Sequence, residues 1–296
     1  MTNYDPSKWT SHLLDIEGSM VREIMGRVTM CVGFSLVVVG LYDYGPAFFD
    51  KLAIPETGHM ILGTSLGLLL VFRTNSSYDR FWEGRKQWGG IVNETRNLAR
   101  QAETWLAADR DLANRVILWT ITFAYATMHR LRSLDDVGAI RQSLPDEEVQ
   151  AVEQSGHVPL AVARKLTRLM HDAHRDGLID AIQLRSLDLN VQALIDYCGA
   201  CERIRSTPAP YSYVVHLRRA LIVFCMTLPL ALVSKFGWET VPATLVIAYV
   251  LFGIEEIGVE IENPFEVEAN DLPLEQFCAT IHQNLRTLVA NDAVQT

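Results

Sequence analysis

The stretch Gly63–Gly90, GTSLGLLLVFRTNSSYDRFWEGRKQWGG, decides how the rest of this chain is read. It starts as an apolar run and then, at Phe72–Arg73, turns charged and aromatic, with no proline between the two halves. A helix that leaves an apolar medium is free to continue only where its own backbone stays hydrogen-bonded and its neighbours supply a wall. Gly63 and Gly67 stand in GxxxG spacing, which lets helices approach backbone to backbone. Thr64, Leu68 and Phe72 recur every four residues, about 40° apart around a helix, and so share one stripe. The stripe has two readings. It is the ordinary core face of a helix, or it lines an axis shared by identical helices, with glycines towards neighbours and the larger side chains forming a narrow, poorly wetted throat.

Outward from this stretch, four windows carry no charged residue: Val28–Tyr42, Thr57–Phe72, Ala220–Ser234 and Thr240–Ile254. Each is shorter than the ~20 residues of a perpendicular membrane span. With 49% hydrophobic and 21% charged residues, composition alone leaves a buried-helix reading open. The flanks favour a membrane. Arg22 and Arg27 precede the first window, Arg73, Arg80, Arg85 and Lys86 follow the second, and Arg203, Arg205, Arg218 and Arg219 lead into the third, all on one side. The opposite connections hold only Lys51 and Lys235 as bases, among Tyr42, Tyr44, Phe48, Phe49, Phe236 and Trp238, as an interfacial belt would. Four spans with both termini cytoplasmic are expected. The divisions are an N-terminal amphipathic segment with spans one and two (1–77), a cytosolic helical region (78–213), spans three and four (214–262) and a C-terminal cytosolic segment with a helix (263–296).

The central region reads as helix nearly throughout, from apolar residues recurring at three and four in RVILWTITFAYATMHRL, VARKLTRLMHDAH and LDLNVQALIDYC. Breaks fall at LPDEE and at STPAPYS, where two prolines stop a helix. A formal charge of -9 argues against a nucleic-acid partner and favours local enrichment of cations. Five cysteines, an odd number, imply no disulfide framework, and the CxxC pair Cys198/Cys201 lies inside a helical pattern, where packing explains it.

Three motifs together then carry a likeness. GLLLVFRTNSSYDRFWEGRKQWGGIVNETRNL contains FRxNxxYxRFWE, CERIRSTPAPYSYVVHLRR contains TPxPxxY, and the segment after the fourth window contains ENPF followed by NDLPL. In order and separation these resemble the bestrophin family in its bacterial branch. The resemblance implies an all-α homopentameric ion channel with four membrane helices per subunit, a large cytosolic helical vestibule and a central pore narrowed by the second span. It places the neck at Thr64, Leu68 and Phe72, where the family has bulky apolar side chains, so Thr64 departs from the pattern and makes the outer ring wetter. It also places a cytosolic constriction at Ile182, for which an isoleucine on a buried helix face is the plain alternative.

Between Glu255 and Asp271 lie Glu255, Glu256, Glu260, Glu262, Glu266, Glu268 and Asp271, with no base among them. They read as a solvated face, with Asp271 as N-cap of the final helix, or, for Glu260, Glu262, Glu266, Glu268 and Asp271, as acids that attract cations. Animal bestrophins carry a dense acidic calcium clasp here; this chain has the sparser EVEAND, and calcium activation is not carried over. His171 and His174 stand three apart, but an exposed helical face accounts for them without a metal. No catalytic residue, cofactor or metal is expected. The sequence thus predicts an ion channel of the bacterial inner membrane. Its partners are its own copies in a homopentamer, membrane lipid and permeating ions. It passes monovalent cations such as sodium through a hydrophobic gate. An anion (chloride) channel of the same architecture and a secondary transporter are the alternatives, and the transporter would require broken spans and an internal repeat that the sequence lacks.

Overall fold

The computed structural model describes residues 20–46 and 54–289, apart from the side chain of Ala139. The expected N-terminal amphipathic segment, Phe48, Phe49 and Lys51 lie outside the described residues. Those described form an all-helical chain: α1 (Val21–Tyr44), α2 (Glu56–Trp105), α3 (Arg110–Leu131), α4 (Asp146–Glu153), α5 (Val158–Arg175), α6 (Ala181–Ser206), α7 (Tyr211–Phe236), α8 (Thr240–Glu260) and α9 (Leu274–Arg286). Short 3-10 turns occupy Gly138–Ser143 and Gly237–Glu239. The opening stretch behaves as its lack of breakers predicts, since α2 runs 50 residues without interruption through Arg73.

Local chemistry sets the other boundaries. Asp109 caps α3 by accepting from the Leu112 N–H, and Asp180 opens α6 with a capping box, accepting from the Ile182 and Gln183 N–H groups while Gln183 answers to the Asp180 N–H. Pro208 and Pro210 separate α6 from α7, as the STPAPYS break foretells. α9 begins at Leu274, with no side-chain hydrogen bond at its N-cap, Pro273.

The chain divides into two compact units. The first gathers the described residues up to Phe81 with Pro208–Pro264 and Glu268–Asp271. In it α1 packs on α7 and α8, and those two on each other. Ile24, Val28 and Cys31 of α1, Leu66 and Leu70 of α2, Leu217, Leu221 and Phe224 of α7, and Ala248 and Phe252 of α8 close one apolar core. Two stretches, Val21–Tyr44 and Tyr211–Glu260, are long and apolar enough to cross a membrane by length and composition. The second holds both α7 and α8, while the apolar start of α2 does not reach that measure.

The second unit comprises Trp82–Thr207, Phe265–Val267 and the described residues from Leu272 onwards. Its α3 packs against α5 and α9, and α5 against α6. Trp88, Trp119, Phe123, Leu166 and Leu194 are fully buried. Gly90 is required here, because a Cβ at this position would lie 2.5 Å from the Tyr197 ring. Cys198 and Cys201 are buried in this core, and burial with the nearby Glu202 charge pushes the Cys198 thiol up to about 12. A thiol so poorly ionised is packing rather than redox chemistry.

Candidate functional site

Leu66 and Leu70 bury one face of α2 in the first core, at 5% and 1% exposure. Two residues is about 200° around a helix, so Thr64, Leu68 and Phe72 point the opposite way. Leu68 and Phe72 are 57% and 59% exposed, and Thr64 is exposed as well. The ordinary core reading of the stripe is therefore excluded within this chain. The Thr64 hydroxyl donates to the Met60 carbonyl at 3.0 Å. Its proton is engaged inside the helix, so this side chain has less to donate outward than the bare residue type suggests.

The two glycines part company. Gly67 has open space where a Cβ would project, but a Cβ on Gly63 would stand 3.0 Å from the Phe224 ring. Gly63 thus admits α7 of its own chain rather than a neighbour's helix. Phe224 also stacks on buried His59, with centroids 4.2 Å apart and planes 10° from parallel. Sequence reasoning missed His59, whose signal was a lone imidazole in an uncharged window, one turn before Gly63.

Ile182 is 80% exposed in the first turn of α6, which overturns the alternative of an isoleucine on a buried face. The Asp180 cap fixes that turn and so fixes where the side chain stands.

The acidic segment differs from expectation. Glu255, 1% exposed, accepts from Arg27 Nη1 at 3.1 Å and Arg218 Nε at 2.8 Å, and Glu256 pairs with Arg27 as well. Glu260 accepts from Asn270 at 3.1 Å. Asp271 is buried and accepts from the Glu268 N–H at 2.8 Å, so it braces its own turn and is not the N-cap of α9. Glu262 is the most heavily engaged. Its carboxylate accepts from Arg73 Nη2 and from the Ala209 N–H, both at 2.5 Å, while its carbonyl accepts from Arg80 Nε at 3.0 Å. Of the five acids expected to attract cations, only Glu266 and Glu268 stand exposed. The reason is physical: a carboxylate next to arginines and backbone donors is worth more as a structural tie than as a solvated charge.

Glu262 also brings the three motifs together. Arg73 and Arg80 belong to FRxNxxYxRFWE, Ala209 to TPxPxxY, and Glu262 begins ENPF. Tyr213, the last residue of the second motif, donates its hydroxyl to the Leu69 carbonyl at 3.2 Å, inside the stripe region.

Among the described residues no group of three or more His, Cys, Asp or Glu side chains is arranged to hold a metal ion. His174 Nδ1 lies 2.9 Å from the Ile179 carbonyl rather than sharing a ligand with exposed His171.

Comparison with known proteins adds identity to this geometry. The model of the family described as Bacterial/Fungal Bestrophin protein matches residues 1–287. The voltage-dependent anion channel-forming proteins of Synechocystis sp. and Nostoc sp. are similar, at 39% identity over 96% of this chain and 92% of theirs, and 37% over 95% and 92%. A crystal structure of a bacterial bestrophin homolog from Klebsiella pneumoniae superposes with a TM-score of 0.84 at 29% identity, covering 90% of this chain and 98% of that one. The chain belongs to the bacterial/fungal bestrophin family, a family of membrane ion channels rather than enzymes.

Proposed function

We propose that copies of this chain gather around α2, as a homopentamer on the family resemblance, to form a passive ion channel in the bacterial inner membrane. α1, α7, α8 and the apolar start of α2 would cross the bilayer, with both termini cytoplasmic, lipid against the outer helices and the remaining helices in the cytosol. Thr64, Leu68 and Phe72 would line the neck and act as a hydrophobic gate, with Ile182 as a second narrowing. The single observation that carries this is the outward face of α2: Leu68 and Phe72 are more than half exposed opposite a buried face. Large apolar side chains held in the open by a well-packed helix call for a partner, and a repeated copy of the same face supplies it. A helix facing its own copies does not need the apolar length of a lipid-facing one, which fits the shortfall in α2.

For the permeant ion, monovalent cations such as sodium remain the first reading. Support comes from Asp79, exposed and seven residues after Phe72, hence only about 20° from it around the helix. A ring of such carboxylates below the neck would draw cations, while Arg27, Arg73 and Arg218 are held in ion pairs. The second reading, anion conduction, is favoured by the names of the Synechocystis and Nostoc relatives. Reversal potentials of the reconstituted protein under opposed NaCl gradients test both. A value at the sodium equilibrium potential supports the first and one at the chloride potential the second; no current, even with Phe72→Ala, defeats the channel reading.

A further inference from the structure

The exposed face of α2 explains what would narrow a pore but not what keeps that face in place. The three family motifs meet on the flank of the same helix turn, about 100° round from the exposed stripe. Arg73 follows Phe72 directly and is 2% exposed, within about 60° of buried Leu70, so it points towards the interior of its own unit. There Nη2 binds Glu262, whose other oxygen takes the Ala209 N–H. Leu69 follows Leu68, and its carbonyl is held by the Tyr213 hydroxyl. In a regular helix that carbonyl is also the acceptor for the Arg73 N–H, so both grips act on one turn.

We infer that Arg73, Glu262 and Tyr213 are positioning residues that hold the neck turn of α2 back from the pore axis, and that conduction depends on this grip. The inference rests on the pore reading above. The contacts at Arg73 and Leu69 lie on the flank of the helix beside the stripe bearing Leu68 and Phe72, and they anchor that turn to the segment after α8 and to the first turn of α7. A backbone tied on that flank resists drifting towards the axis. Once it is released, the apolar faces of neighbouring copies gain by meeting one another and excluding water, and the neck narrows. A guanidinium that bonds a carboxylate which itself holds a backbone N–H makes a stiffer tie than an exposed ion pair.

The test is current through purified, assembled protein in planar bilayers with symmetrical NaCl, which is indifferent to the sign of the permeant ion. Glu262→Gln is expected to lower conduction about fivefold and Tyr213→Phe, which removes one hydroxyl, about twofold, changes worth about one kcal/mol or less. Phe72→Ala conducts more than wild type, and in that background Glu262→Gln and Tyr213→Phe should lower current by a smaller factor, because the larger of the two apolar rings on which the grip acts is gone. A merely structural role would lower current equally in both backgrounds and overturns the inference. So does wild-type current in both single variants at wild-type assembly, provided Phe72→Ala raises conduction. If Phe72→Ala changes nothing, the pore reading itself fails. Should Glu262→Gln not assemble, Tyr213→Phe decides alone in the two backgrounds.

Discussion

The stretch 64–72, proposed above as the neck, and the acidic stretch 255–271 invert each other. One is apolar and lies open, with Leu68 and Phe72 exposed; the other is charged and largely closed, with Glu255 buried and Glu262 held by Arg73. Counting residue types predicts the reverse for both. The difference teaches that exposure follows from whether a side chain finds a partner inside its own chain. Glu255 finds two arginines, whereas Leu68 and Phe72 on the outward face of α2 stay more than half exposed, and in the proposed assembly other copies would cover them.

The largest effect expected is on the charged side of the comparison. Glu255→Gln leaves Arg27 and Arg218 without their shared carboxylate and should cost about 2–3 kcal/mol, less than a fully buried pair because both arginines are partly exposed. Thermal unfolding of the detergent-solubilised protein measures this, and an unchanged midpoint would return Glu255 to the class of ordinary solvated acids. Next comes the apolar side. Phe72→Ala should raise leak in liposome flux assays about tenfold, equivalent to about 1.4 kcal/mol, and Leu68→Ala by less. Stability should hold, since these side chains pack on little in their own chain. A large fall in melting temperature with no gain in leak would mean that the open face is core after all. Asp79→Asn should reduce the cation-to-anion permeability ratio about threefold, read from the reversal potential. The smallest effect belongs to Glu266→Gln with Glu268→Gln. These acids are exposed but off the neck helix, and the permeability ratio should move by less than about twofold.

Much of this was legible in the sequence. Periodicity gave the helical central region, two prolines gave the start of α7, and the absence of a breaker after Phe72 gave the continuity of α2. The four-residue stripe gave its geometry but not its surroundings, because helical spacing is the same for a core face and for an open one. The acids were misread for a related reason. Glu262 and Arg73 lie 189 residues apart, and no local pattern reveals that they meet. Gly63 faces Phe224 across a similar separation while Gly67 meets nothing in its own chain, and GxxxG spacing by itself does not tell these two surroundings apart. Asp271 resembled a helix cap because it precedes LPLEQF, yet it serves Glu268 upstream.

Thr64 commits its single proton to the Met60 carbonyl, so the oxygen it presents outward retains lone pairs and nothing to donate. If copies of this residue encircle the pathway, they can replace water oxygens around a metal ion but offer a halide no hydrogen. The outermost constriction would then discriminate by chemistry as well as by width, at a position where residue type alone promised only a little extra hydration.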